Sequence, residues 1–127
     1  MSHDATPTVM LVEDDIDVRE AVADTLEEVG YRVLAARHGL EALGLLRSGS
    51  SRPCLILLDL MMPVMDGWTF RDEQRKHPEL AQIPVVALSA HAGMRDLDAA
   101  DHLRKPIQLR VLIGVVERFC GAPRPPE

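Results

Sequence analysis

Short apolar runs alternate with helix-like patterns along the whole chain. Residues 8–12 and 54–58 are continuous apolar runs of about five residues, which is typical of strands buried on both faces of a parallel sheet. Between them, Val18, Val22 and Leu26 recur at the four-residue spacing of an amphipathic helix. On these criteria the sequence predicts strands at 8–12, 31–35, 54–58, 84–88 and 101–104, and helices at 17–29, 38–47, 68–76 and 109–119, the last of them stopped by Gly121.

Residues at the predicted boundaries agree with these elements. Asp17 and Glu20 have the spacing of a capping box for the first helix, and Gly30 follows it as a stop. Pro84 stands at the first residue of the fourth strand, where no ladder donor is needed.

The alternation of strands with helix-length segments predicts the fold class. Such βαβ units close right-handedly into a parallel sheet with helices on both faces. We therefore predict an α/β domain, doubly wound around five parallel strands. In folds of this class ligands bind at the carboxyl ends of the strands, near the topological switch point.

Composition narrows the classes of function. The length of 127 residues suits one domain, and the net charge of −6 without a basic run argues against a direct nucleic-acid partner. Its apolar stretches fall far short of the roughly 20 residues that span a bilayer. Residues 1–8 contain no apolar signal-peptide core. We expect a cytoplasmic protein that does not contact a membrane.

The cysteines and histidines do not have the spacing of metal ligands. Cys54 and Cys120 lie far apart, each in an apolar run, so we expect two buried free thiols in a reducing compartment. The histidines are scattered without the short spacings of a zinc site, at His3, His38, His77, His91 and His102.

Polar residues follow the predicted strands in a recurring way. The first strand is followed by three acids, the third by Asp59, the fourth by Ser89 and the fifth by Lys105. All four positions face the same edge of a parallel sheet, so converging carboxylates there need a compensating charge. Mg²⁺ prefers oxygen ligands, and the lysine and hydroxyl complete a set of groups that can bind a phosphoryl group.

At this point the sequence resembles the receiver domains of two-component response regulators. The resemblance covers about residues 8–120 and rests on four motifs in order. They are Val12-Glu13-Asp14-Asp15, the long segment from Leu58-Asp59 through Met61-Met62-Pro63 to Asp66-Gly67, Leu88-Ser89-Ala90, and Leu103-Arg104-Lys105-Pro106.

The resemblance implies the flavodoxin-like strand order 2-1-3-4-5 and a role for each site residue. Asp59 is the expected phosphoacceptor. Asp14, Asp59 and the backbone carbonyl of Met61 are the expected direct ligands of Mg²⁺, and Glu13 is expected to act through water. Ser89 should donate to the phosphoryl group and Lys105 should pair with it. The bond before Pro106 is expected to be cis, which would aim the lysine inward.

The chain departs from the family pattern in two places. His102 stands where the family usually has an aromatic residue that rotates inward, and it could either rotate or remain a solvated surface residue. Between Ser89 and Lys105 the chain is about six residues shorter than the family pattern. A βαβ crossover needs roughly 10–12 residues, so we predict a shortened or disordered fourth helix within residues 90–100.

These observations favour a phosphoacceptor receiver domain at residues 8–121, between a disordered N-terminus (1–7) and a Pro-rich tail (122–127). Its partners would be a histidine kinase or histidine phosphotransfer protein and a downstream protein, with a weak homodimer also allowed. It would catalyse only its own phosphorylation and dephosphorylation and is therefore not expected to be an enzyme. The alternative is a pseudo-receiver that switches without phosphate. A haloacid-type phosphohydrolase is disfavoured, because Met61 stands where that family needs a second Asp.

Overall fold

A computed structural model describes residues 6–49, 52–90 and 99–123 of the chain. Five strands form one parallel sheet in the order β2-β1-β3-β4-β5, so the predicted fold class and strand order are confirmed. The strands are β1 (Thr8–Val12), β2 (Arg32–Ala36), β3 (Leu55–Asp59), β4 (Val85–Ser89) and β5 (Asp101–Arg104). The helices are α1 (Ile16–Glu28), α2 (Gly39–Arg47), α3 (Gly67–Arg75), α4 (Pro78–Ala81) and α5 (Leu109–Cys120).

Two cores lie on opposite faces of the sheet, and alternation along the strands assigns each side chain to one of them. On one face, residues of α2, α3 and α4 cover β1, β3 and β4, with Met10, Val12, Ile56, Leu58 and Phe70 among the buried side chains. On the other face, α1 and α5 cover the same strands, with Val9, Leu11, Leu57, Leu26 and Leu112 buried. Helices therefore cover both faces of the sheet, and side chains at its carboxyl edge can reach solvent.

The start of α1 differs from the prediction. The predicted capping box of Asp17 and Glu20 is wrong, because Asp15 is the N-cap residue and its carboxylate accepts from the backbone N–H groups of Asp17 and Val18. The cap lies two residues earlier than the apolar periodicity suggests, since Ile16 begins the helix while remaining 56% exposed.

Helix α4 was not predicted from the sequence. It has four residues and begins with Pro78 in its first turn. The fully buried Gln74 of α3 donates from its side-chain amide to the carbonyls of Leu80 and Ile83, at 2.7 and 3.1 Å. These bonds hold α4 against the end of α3, and a single glutamine in a polar segment gives little sign of that role.

The expectation of two free thiols is wrong, because Cys54 and Cys120 form a disulfide with their Cα atoms 5.4 Å apart. In a doubly wound fold each helix runs back antiparallel to the strands, so helix ends lie near strand starts. Cys54 immediately precedes β3 and Cys120 ends α5. The topology therefore brings together two residues that are 66 positions apart in sequence.

The predicted shortened or disordered helix between β4 and β5 falls mostly on residues 91–98, outside the described part of the chain. The same holds for most of the predicted terminal segments 1–7 and 122–127. None of the helices in the described ranges has the length and hydrophobicity that a membrane-spanning segment requires.

Gly67 provides a test of the packing between β3 and α3. A Cβ atom there would lie 2.8 Å from the Cα of Leu60 and 2.9 Å from the carbonyl oxygen of Asp59, both backbone atoms that cannot rotate away. We expect Gly67→Ala to lower the free energy of unfolding by about 1–3 kcal/mol in urea denaturation.

The matched control is Gly44→Ala, in the exposed interior of α2, where an added Cβ meets nothing within 4 Å. This change should raise stability by about 0.5–1 kcal/mol, because alanine favours helix. Equal effects at the two glycines would contradict the close approach at Gly67.

Candidate functional site

The carboxyl ends of four strands bring the predicted site residues to one edge of the sheet. Asp59 is the last residue of β3 and pairs in register with Leu88, next to Ser89 at the end of β4. Glu13 directly follows β1, and Lys105 directly follows β5. The backbone N–H of Lys105 donates to the Ser89 carbonyl at 2.7 Å, which extends the ladder by one residue and places the lysine at the same edge.

Three carboxyl groups meet at this edge. One oxygen from each of Glu13, Asp14 and Asp59 lies within 4.8 Å of the others, an arrangement that could hold a metal ion. Glu13 is fully buried and Asp59 is 4% exposed, whereas Asp14 is exposed to solvent. The cluster is thus open on the Asp14 side and closed on the Glu13 side.

Lys105 is the cation that faces this cluster. Its Nζ lies 2.6 Å from Glu13 Oε1 and 3.5 Å from Asp59 Oδ1. Burial alone would lower the pKa of Lys105, but the hydrogen bond to Glu13 and the charges of both carboxylates outweigh burial and raise it. The side chain is therefore held as an ammonium ion shared by the two acids.

One ammonium does not balance the cluster. Burial first, and then the neighbouring Asp14 and Glu13 carboxyl groups, raise the pKa of Asp59 from 3.8 to about 8, while Lys105 acts in the opposite direction. Asp59 thus has the large electrostatic perturbation that is common at functional sites.

The three acids after β1 have different surroundings. Glu13 pairs with Lys105 and also accepts from the backbone N–H of Asp15 at 3.1 Å. Asp15 caps α1, and Asp14 stays at the surface of the cluster. Arg19, which sequence reasoning missed, donates to the backbone carbonyl of Glu13 at 2.9 Å. Its position one turn into α1 is the only sequence signal for that contact.

The loop after β3 surrounds Asp59. The backbone N–H of Met61 donates to Asp59 Oδ1 at 3.3 Å, while the Met61 side chain is 59% exposed. Asp66 ends the loop as the N-cap of α3, accepting from the Thr69 N–H at 2.8 Å. The backbone of Met61 is therefore adjacent to the Asp59 carboxylate, while the predicted role of its carbonyl as a metal ligand stays a prediction.

The sequence matches a known protein family over most of its length. The family described as the response regulator receiver domain matches residues 9–117. The chain belongs to the response regulator receiver domain family.

Two similar proteins are matched along most of their own length and most of this chain. The chain is 32% identical over 120 residues to the polar-differentiation response regulator DivK of Brucella anthropi, covering 90% of this chain and 96% of DivK. The receiver domain of a signal transduction histidine kinase from Syntrophus aciditrophicus superposes with a TM-score of 0.81 at 33% identity, covering 91% of this chain and 90% of that one.

A third relative bears on the acidic cluster. The receiver domain of sensor histidine kinase PA1611 from Pseudomonas aeruginosa has a magnesium ion coordinated in its active site cleft. It is 28% identical, with a TM-score of 0.80, and the match covers 92% of this chain and 99% of that one.

Two expectations from the receiver resemblance concern the end of β5. The Lys105–Pro106 peptide bond is cis, as expected. His102 lies in β5 opposite Ala87 of β4, and its side chain is exposed. In this structure His102 therefore lies at the surface and is not rotated inward.

The electrostatics of this receiver domain predict a pH-dependent effect of Asp59→Asn. The folded-state pKa of about 8 lies above the unfolded value near 3.8. In the wild type the stability linked to this group is therefore fully present below pH 4 and is lost as pH rises through 8. Asparagine does not ionise and so avoids that loss of stability. Without divalent cations, the gain in the free energy of unfolding of Asp59→Asn over the wild type should be about 1–3 kcal/mol larger at pH 8 than at pH 5.

Urea denaturation in chelator at the two pH values measures this difference. The control is Asp24→Asn, on the exposed side of α1. This change should have a small effect on the free energy of unfolding that is the same at both pH values. An effect of Asp59→Asn that does not grow with pH would contradict the raised pKa.

Proposed function

We propose that this receiver domain accepts a phosphoryl group on Asp59 from a histidine kinase or a histidine phosphotransfer protein. Phosphorylation would then change its binding to a downstream protein partner. The observation that carries the proposal is the placement of Lys105 Nζ, 3.5 Å from the Asp59 carboxylate within a cluster of three acids. A carboxylate nucleophile beside a fixed cation is what phosphoryl transfer needs from a protein.

Mg²⁺ fits the acidic cluster. Asp14 and Asp59 are its proposed direct ligands, together with the Met61 carbonyl, and Glu13 would act through water. This division agrees with the burial of Glu13, whose Oε1 is already paired with Lys105. When bound, the ion would supply positive charge that offsets the carboxylates and neutralises phosphoryl oxygens. The raised pKa of Asp59 indicates that the cluster lacks such charge from its own side chains.

In the proposed transfer, a carboxylate oxygen of Asp59 attacks the phosphorus of a phosphohistidine in line with the P–N bond. The P–N bond breaks as the new P–O bond forms, and the histidine nitrogen retains the electron pair and takes a proton. Lys105 pairs with a phosphoryl oxygen and Ser89 donates to another. The product is a mixed anhydride, which water hydrolyses to regenerate Asp59 and inorganic phosphate.

The domain would thus catalyse its own phosphorylation and dephosphorylation without turning over an outside substrate. We place it in the cytoplasm, as a protein that meets its kinase or phosphotransfer partner in solution and does not bind nucleic acid directly. The net charge of −6 supports the last point. A weak homodimer is compatible with this role.

A small phosphodonor tests the proposal directly. Incubated with Mg²⁺ and acetyl phosphate, the wild type should gain one phosphoryl mass by intact mass spectrometry at low pH, and Asp59→Ala should not. Beryllofluoride with Mg²⁺ should change the emission of Trp68, which is half-buried next to Gly67 after the Asp59 loop. A wild type that gains no mass, or an Asp59→Ala variant that gains as much, would favour the pseudo-receiver that works without phosphate.

The role of Lys105 has a matched test. Lys105→Ala should slow phosphorylation by acetyl phosphate about 100-fold, because it removes the fixed charge that faces the developing phosphoryl charge. Lys76→Ala removes an exposed lysine that pairs with Glu73 at the end of α3, and its rate should equal that of the wild type. Circular dichroism checks that both variants fold. Equal rates in the two variants would remove Lys105 from the proposed chemistry.

A further inference from the structure

The disulfide lies at the edge of the sheet opposite the acidic cluster. Cys54 precedes β3 and Cys120 ends α5, whereas Asp59 ends β3 and Lys105 precedes α5. The five residues of β3 and the twelve of α5 each span roughly 17–18 Å. The disulfide therefore joins the start of β3 to the end of α5, while at the other edge the end of β3 pairs with Lys105, in the segment between β5 and α5.

A second contact holds the end of α5 near Cys54 without the covalent bond. The hydroxyl of Tyr31, a residue 3% exposed, donates to the carbonyl of Gly121 at 2.7 Å. Gly121 directly follows Cys120, so this hydrogen bond fixes the helix terminus at the same place. This hydrogen bond does not involve either sulfur atom, so it remains available to hold the Cys120 end of α5 when the disulfide opens.

The surroundings of Cys54 also suit a reduced state. Its sulfur lies 3.3 Å from the carbonyl oxygen of Thr8, to which a thiol can donate. The backbone N–H of Cys54 donates to the same carbonyl at 2.9 Å, so its position does not depend on the disulfide. Both cysteines are half-buried, which leaves them within reach of a small thiol.

We propose that Cys54 and Cys120 form a reversible thiol–disulfide site whose state sets the stability of the α5 end. The inference rests on the cytoplasmic location in the proposed function, because disulfides in that compartment are usually transient and redox-sensing. It names a modification site separate from the phosphoryl acceptor.

The co-reactant is a small thiol–disulfide couple of the glutathione class. On oxidation, one protein thiolate attacks the disulfide of the oxidised reagent and releases one small thiolate. The second protein thiolate then attacks the mixed disulfide and releases the other. The two protein thiols lose two protons and two electrons, and the reagent is reduced to two thiols.

Reversibility is tested with the purified 127-residue chain in glutathione buffers. After equilibration, acid quench and alkylation, intact mass gives the fraction of protein with both thiols blocked. The oxidised fraction should fall from nearly all in oxidised glutathione to less than half in excess reduced glutathione. If the disulfide persists in excess reduced glutathione, it is structural and not reversible. If the two thiols do not form a disulfide in oxidised glutathione, the cysteines are not a redox site. Either result overturns the proposal.

The effect on stability is tested by thermal unfolding. Opening the bond releases a loop spanning 66 positions, so dithiothreitol should lower the Tm of the oxidised wild type by about 10 °C. Cys120→Ser, which cannot form the bond, should have the Tm of the reduced wild type, and dithiothreitol should not change that Tm. A wild type whose Tm does not respond to dithiothreitol overturns the proposal. Neither experiment uses a phosphodonor, so failure here leaves the role of Asp59 untouched, and the reverse also holds.

Discussion

Two carboxyl groups, Glu13 and Asp59, are buried at the carboxyl edge of the sheet with one ammonium group between them. At the effective dielectric of a protein, one such attraction is worth about 4–6 kcal/mol, and burying each ion costs several kcal/mol. A single lysine therefore cannot offset the burial and mutual repulsion of these carboxylates. The part that it does not offset raises the pKa of Asp59. Much of the surrounding structure, from the cap at Asp15 to the loop after β3, holds these charges in place.

The strands and the site were largely predictable because both follow from simple periodicity. Runs such as residues 54–58 are apolar throughout since β3 is covered on both faces, and the first polar residue after each run marks the edge of the sheet. Asp59, Ser89 and Lys105 could thus be placed at one edge before any distance was known. Their roles in phosphoryl transfer remain predictions from the family resemblance.

The features that the sequence did not reveal depend on contacts that hydrophobic periodicity does not report. The disulfide requires the path of α5 back across the sheet, and helix α4 depends on two hydrogen bonds from Gln74 to carbonyls that follow it. The cap at Asp15 was missed because the exposed Ile16 breaks the apolar stripe at the start of α1. The disulfide and α4 are thus tertiary contacts, whereas the cap at Asp15 is a local contact that the apolar periodicity did not mark.

The close approach at Gly67 has a consequence for the loop before it. The Gly67 N–H donates to the Leu60 carbonyl at 3.0 Å, so the chain leaves β3 and returns to α3 at nearly the same point. Residues 61–66 form a closed ring whose tip, Val64, is 74% exposed. Because the two ends of the ring meet at Leu60 and Gly67, the path of the chain beside Asp59 is set at the base of the loop and not by the exposed side chain at its tip.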